Sequence, residues 1–514
     1  MDSVAVTSTP RGSGVFRIVA VLVSMAMAVV AAGCTSSPTN SASGQKHTLV
    51  VGATVEPPSM DPFHNSAAAI PQALLYNVYE TLLKVDSEGA LRPLLAQAWE
   101  ISPDQLTYTF HLNPAAKFAS GAAVDGEAVV ANVNRLKNDP TITETLRAQI
   151  DLVVSAEAPD AGKAVITLSR PSVMWLYEMA STLGMMVDPT STAALATTTA
   201  GSGPYQLKQQ NKGTSVVLEK NPSYWGTPAR FDEVTFRYFT DPNAMNASML
   251  SGDLDVISNL QAPDALSQFS DTSRFTTISG TSNGEVVLGL NHDNPDLAKL
   301  EVRKALTMAI DRKALIDTIW NGQGTLIGSM VAPTDPWYED LSGTYPYNPD
   351  QAKALLEQAG YPAGKLKLRL RVPVIPYATK SAQFVASQLR EVGVETTIEE
   401  LDFSRWLSEV FTNGDYDMTI VAHVEARDLG KFANPKYYWH YDNPQFQQLY
   451  EQADAAGEAG AVPLMKQAAR LLATDAAAIW LFSLPNLVIT KSTITGVAPN
   501  ETSLSFDLTT LAGR

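Results

Sequence analysis

The chain has 514 residues, 45% hydrophobic and 18% charged, a balance that supports a real packed core and excludes a disordered chain. Its length points to two or three packed units. The formal net charge of −16 argues against nucleic-acid binding, which needs a basic footprint, and is compatible with cationic or zwitterionic ligands.

The first segment ends in Cys34, the only cysteine, so no disulfide can form and stability must come from packing. Arg11 and Arg17 lead into residues 18–32, apolar except for Ser24, and Ala31-Ala32-Gly33 stands before the cysteine. Basic, then apolar, then small residues is the layout of a secretory signal. The apolar run is shorter than the roughly 20 residues that span a bilayer. The segment resembles a bacterial lipobox, although many lipoboxes carry Leu where Ala31 stands. Residues 1–33 are therefore expected to be removed and Cys34 to carry lipid. Residues 34–47, rich in Ser and Thr, are expected to form a flexible tether.

A buried strand is predicted over 48–55, ended by Pro57-Pro58 and Asp61-Pro62. Residues 70–83 read as helical, with Tyr76, Tyr79, Leu82 and Leu83 as apolar anchors. Short strands follow at 106–112, 164–168, 215–219 and 233–239, with a helix at 127–136 among them. Residues 301–319 read as one amphipathic helix. Asn348 and Pro349 open another helix, as cap and first residue, and Gly360 stops it. A strand at 365–372, a helix at 379–392 and a strand at 394–400 complete an α/β alternation. No internal repeat is present.

Several blocks recur in a recognisable order. They include Glu56-Pro57-Pro58-Ser59-Met60-Asp61-Pro62, Val78-Tyr79-Glu80-Thr81-Leu82, Pro93-Leu94-Leu95-Ala96 with Trp99-Glu100, and Tyr108-Thr109-Phe110 leading into Lys117-Phe118 and Gly121. Gly201-Ser202-Gly203-Pro204-Tyr205, Asn221-Pro222-Ser223-Tyr224-Trp225 and Ser251-Gly252-Asp253-Leu254-Asp255-Val256 follow. Val302-Arg303-Lys304-Ala305-Leu306 with Ala309-Ile310-Asp311-Arg312 is the best preserved. In this order the chain resembles the family 5 extracellular solute-binding proteins, the peptide- and nickel-binding proteins of ABC importers. Read as residues alone, most of these blocks hold the fold: glycines make turns, Tyr224 and Trp225 bury against a sheet, and Val302, Leu306 and Ile310 form an inner helix stripe.

The resemblance implies an α/β, two-lobed periplasmic-binding-protein-like fold, type II, of the large cluster with an extra N-terminal subdomain, with a hinge and an interlobe ligand cleft. Residues 48–290 would form the larger lobe, with an inserted subdomain at about 84–199. Residues 291–482 would form the smaller α/β lobe, and 483–514 would return to the larger one. The implied partners are a peptide or other small-molecule ligand, an ABC permease with its ATPase, and the membrane through the lipid. A monomer without cofactor is expected.

The resemblance also places cleft segments. The loop after the first strand offers His64 and Asn65, with Gln72 beyond it. After Tyr416-Asp417-Met418, peptide-binding relatives carry a Trp and then an Asp that pairs with the ligand's ammonium; here His423 and Ala426 stand at those positions, flanked by Glu425 and Asp428. A buried ammonium needs an anionic partner, so Glu425 or Asp428 would have to substitute. A third segment carries Met185 and Met186, which suit an adaptable apolar wall. These departures tilt the ligand from a classical dipeptide toward something less charged or bulkier; an oligopeptide-like solute is the default that the resemblance implies, and a nickel complex, haem or another bulky organic solute is the alternative. His64 and His423 could share a metal chelate, neutral imidazole being a common donor. A sensor-type receptor or a hydrolase is a lesser alternative. The chain has no HExxH, no GxSxG and no GxxxxGK[ST], and no enzyme activity is expected.

Overall fold

The computed structural model describes residues 47–191 and 194–513. The signal segment, Cys34 and nearly all of the tether lie outside the described residues. Among the described residues no helix is long and apolar enough to cross a membrane.

Hydrophobic alternation in short runs produces one sheet of ten strands that extends through the whole fold. At one end Thr48–Ala53 pairs in parallel with Glu233–Tyr238, followed outward by Ser215–Lys220 and Tyr205–Asn211. At the other end Lys367–Pro373 pairs in parallel with Glu395–Leu401, and helix Pro376–Glu391 joins them. Between the two ends run the longest strands, Phe275–Leu290 and Ile479–Lys491, paired antiparallel.

These two strands serve two cores. Phe275, Leu487 and Ile489 pack with Met245, Met249 and Leu254 on the first side. Val286, Leu288, Leu290, Ile479 and Leu481 pack with Val302, Leu306 and Val385 on the second. Their pairing register slips between Thr281 and Glu285, where the cores change over. A slip of this kind bends a strand and raises its twist. The molecule is thus two lobes on one continuous sheet, with chain crossing at the slip.

A separate four-stranded antiparallel sheet lies in the first lobe, in the order Ala96–Ile101, Thr107–Leu112, Lys163–Leu168, Val153–Asp160. Helix Gly126–Asn138 packs on it, and Trp175 packs against Tyr108 of its buried face, ring centroids 4.8 Å apart. The C-terminal segment returns to the first lobe. There the Leu508 amide donates to Asn77 Oδ1 at 2.9 Å, and Lys84 Nζ meets Asp507 at 2.7 Å.

Two sequence expectations differ from the structure. The helix read over 70–83 stops at Leu74, because Tyr76 takes a left-handed backbone with φ of 62°. Tyr76, Tyr79, Leu82 and Leu83 are all buried, the first three in irregular chain and Leu83 at the start of strand Leu83–Val85, so their apolarity reported burial and not a helical face. The helix read over 301–319 is two, Leu300–Met308 and Arg312–Ile319. Asp311 starts the second by accepting the Ala314 amide at 2.9 Å. The helix after Asn348 runs Pro349–Gln358 with Gly360 at φ of 92°, as the turn chemistry required.

Candidate solute-binding cleft

Between the lobes lies a cavity of about 700 Å³, joined to a smaller one of about 140 Å³. Asn65, Gln149, Glu178, Phe403, Asp428 and Lys431 line both. The first lobe contributes the loop after Thr48–Ala53, helix Glu144–Ile150 and the turn of helix at Trp175–Met179. The second contributes the helical stretch from Phe403 to Thr412, the segment from Arg427 to His440, and the end of helix Pro444–Asp454.

The two sides already touch. Arg170 meets Asp454 at 2.7 Å, and the Ser172 hydroxyl and Met174 amide also donate to this buried carboxylate. The Arg427 guanidinium lies 3.5 Å from the centre of the Tyr177 ring and 5.1 Å from that of Trp337. This is a cation–π sandwich drawn from both lobes.

The smaller cavity ends in acids. Glu178 is half-buried and lines both cavities; burial pushes its carboxyl up to about 7, although Lys431 pulls the other way. Asp428 is buried, and neither of its carboxylate oxygens has a hydrogen-bond partner. Enclosure, then the Glu425 charge, push it well above the carboxylate range. Glu285 stands opposite His423 in the sheet and is raised by enclosure and by Asp428. Enclosure lifts Asp335 to about 6 against Arg427. Glu425 is lowered: burial opposes this, but Lys431 and His423 outweigh it.

His423 lies in an aromatic box. It stacks on Tyr438 with 15° between the planes, and Trp439 is 4.8 Å away. Its Nε2 is 2.9 Å from the Tyr438 hydroxyl, and burial pushes the ring down to about 4, so it is neutral at pH 7. Nδ1 faces Asp428 at 4.0 Å.

The residues singled out from sequence separate into three groups. His423, Glu425 and Asp428 converge at the smaller cavity, where Ala426 also lines the wall. Asn65 lines both cavities, its Oδ1 holding the Ala67 amide; His64 lines only the larger one, each ring nitrogen 2.9 Å from a carboxylate, of Asp61 and of Asp139. Gln72 lines neither cavity, and Met185 and Met186 are core, 1% and 2% exposed. The structure does not bring His64 and His423 together: they line different cavities and His64 has no free nitrogen. Sequence reasoning missed Glu178, Asp454, Arg427 and Lys431. One signal was visible, the run Tyr437-Tyr438-Trp439-His440, in which so many rings together exceed what a loop needs.

Two lobes on a shared sheet with the main cavity between them define a solute-binding protein of the periplasmic type. The chain belongs to the bacterial extracellular solute-binding proteins of family 5, whose model, described as the family 5 middle region, matches residues 90–446. It is similar to the glutathione-binding protein GsiB of Salmonella paratyphi A, 26% identical over 362 residues, 69% of this chain and 70% of that one. It is also similar to the probable D,D-dipeptide-binding periplasmic protein DdpA of Escherichia coli K12, 26% identical over 481 residues, 87% and 90% of the two chains. The fold matches the periplasmic binding protein AgaA of A. tumefaciens R10, solved with agropinic acid, at a TM-score of 0.81 and 24% identity, over 91% of this chain and 99% of that one.

Proposed function

We propose that this protein is the solute-capturing component of an ABC importer, held at the outer face of the cytoplasmic membrane by lipid on Cys34. Its solute is a peptide-like molecule that presents positive charge to the acidic end of the cleft. The observation that carries this reading is Asp428, a buried carboxyl without hydrogen-bond partners that lines the interlobe cavities. A carboxylate so placed costs stability unless a cation arrives to pair with it. Names of relatives that bind glutathione or a D,D-dipeptide support a small peptide-like class. The cavity of about 700 Å³ is within the range that holds such molecules. Glu425 and Asp428 take the place of the acid missing at Ala426.

The test is thermal unfolding of residues 35–514 against di- to hexapeptides, glutathione, opine-like conjugates, haem and sugars. A solute at 100 times its dissociation constant adds about 2.7 kcal/mol of stability. A rise in midpoint with peptide-like compounds, lost in Asp428→Asn, is expected; a rise only with haem or sugars refutes the class. The anchor is tested by Cys34→Ala, which is expected to leave the membrane fraction, and retention there refutes it.

A further inference from the structure

We propose that His423, Glu425 and Asp428 form a binding site for a divalent transition-metal ion, on which the solute is held through its own donor atoms. This rests on the reading that the interlobe cleft holds the solute, and it specifies which cation meets the acidic end.

One donor atom from each of the three side chains lies within 4.8 Å of the others. Donors around a zinc-sized ion stand roughly 3 Å apart, from bond lengths near 2.1 Å, so small side-chain rotations would close the set. The orientation of His423 fits the role. Its Nε2 is held by the Tyr438 hydroxyl, and its Nδ1 faces Asp428. An imidazole that ligates through one nitrogen is normally fixed by a hydrogen bond at the other. The ring is buried at the wall of the smaller cavity. Asp428 supplies the second, independent observation: it is buried, both its oxygens lack hydrogen-bond partners, and it lines both cavities.

Metal binding displaces the proton that enclosure keeps on Asp428, and the two carboxylates with the imidazole then carry a formal charge of minus two, which one divalent ion cancels. Lys431 faces Glu178 as well as this pair, so its charge is already shared. A mixed nitrogen and oxygen set suits the later first-row ions, zinc, nickel, cobalt or copper, better than magnesium or calcium. Three protein donors leave positions open toward the larger cavity, where the amine and amide donors of a peptide-like solute would complete the shell.

The test uses tag-free residues 35–514 passed over a chelating resin and titrated with Co²⁺ alone. One equivalent is expected to bind with visible bands, and X-ray absorption of the Zn²⁺ form should report one imidazole with oxygen donors. His423→Gln and Asp428→Asn should each abolish this, and Tyr438→Phe should weaken it by about tenfold or more. Absence of saturable binding by Co²⁺, Ni²⁺ and Zn²⁺ overturns the site, as does binding that survives in the double variant His423→Gln, Asp428→Asn, which would mean adventitious surface carboxylates only. The X-ray signature in the unaltered protein decides the matter should a variant fail to fold. Peptides that raise the midpoint of the metal-free protein while no metal binds would overturn the metal site and leave the cleft reading standing. A metal bound at these three residues with no solute recognised beside it would uphold the site and refute the solute class.

Discussion

Glu80 accepts hydrogen bonds from three side chains more than a hundred positions away: Ser202 Oγ at 2.8 Å, Tyr224 Oη at 2.7 Å and Trp225 Nε1 at 2.9 Å. Burial raises its carboxyl to about 7 even so. Three blocks that look independent in the sequence are therefore one polar knot, and a fold-holding reading of them is the physical one. His64 shows the opposite case. Burial alone would lower its pKa, but Asp61 and Asp139 together raise it above 6.5. A raised imidazole stabilises the fold fully below the unfolded value of about 6.5 and loses that contribution as pH rises through the folded value. The midpoint difference between wild type and His64→Gln should thus be largest near pH 5.5 and close toward pH 8. Its size stays below about 1 kcal/mol, because the ring is partly exposed and the pairs are screened. A gap that widens with pH would show that the carboxylates do not hold this ring. The loop polarity was legible in the sequence. The partner Asp139, 75 positions on, was not, because only tertiary packing brings it there.

At the scale of elements, the sequence was readable wherever one face of a helix or strand meets one core. Strands at Thr107–Leu112, Ser215–Lys220 and Lys367–Pro373, and the helix Gly126–Asn138, fall within a few residues of their periodicity. It misread places where a polar side chain bonds the backbone against the hydrophobic pattern. Asp311 is such a place: the apolar stripe of Val302, Leu306 and Ile310 continues, yet the cap breaks the helix. Asp311→Ala should cost about 1 kcal/mol in urea unfolding, the usual worth of a cap, while Asp311→Asn or Asp311→Ser should retain most of it. Equal loss in all three would show that the bond from the Ala314 amide does not carry the cost. The glycines of the 201–203 turn teach a related point. Neither has a left-handed backbone; a Cβ on Gly201 would stand 1.9 Å from the Val78 carbonyl oxygen, and on Gly203 2.5 Å from that of Asn77. Close approach requires them.

Across the whole molecule, the two lobes are held by two strands on one side and by Asp454 on the other. This buried carboxylate takes Arg170, Ser172 and the Met174 amide from across the cleft. Removing it leaves several desolvated donors unpaired, a loss of about 2–4 kcal/mol confined to the closed form. Asp454→Ala should therefore enlarge the radius of gyration in solution scattering and weaken solute binding by tenfold or more, with little change in the far-ultraviolet spectrum. An unchanged radius with unchanged affinity would remove Asp454 from closure. None of this was visible in the sequence, since Asp454 lies at the end of an ordinary amphipathic helix and its partners stand 280 or more positions earlier.

The return of the C-terminal segment to Asn77 and Lys84 has a consequence for how such a chain is made. The first strand finds its neighbours some 185 and more positions later, and the first helix is sealed by residues in the last ten of the chain. During synthesis the first lobe cannot be finished before the segment around Leu508 has been made. Contacts of such sequence separation also fold slowly. The nascent first lobe stays incomplete until that segment is present, so its topology serves as its own timer.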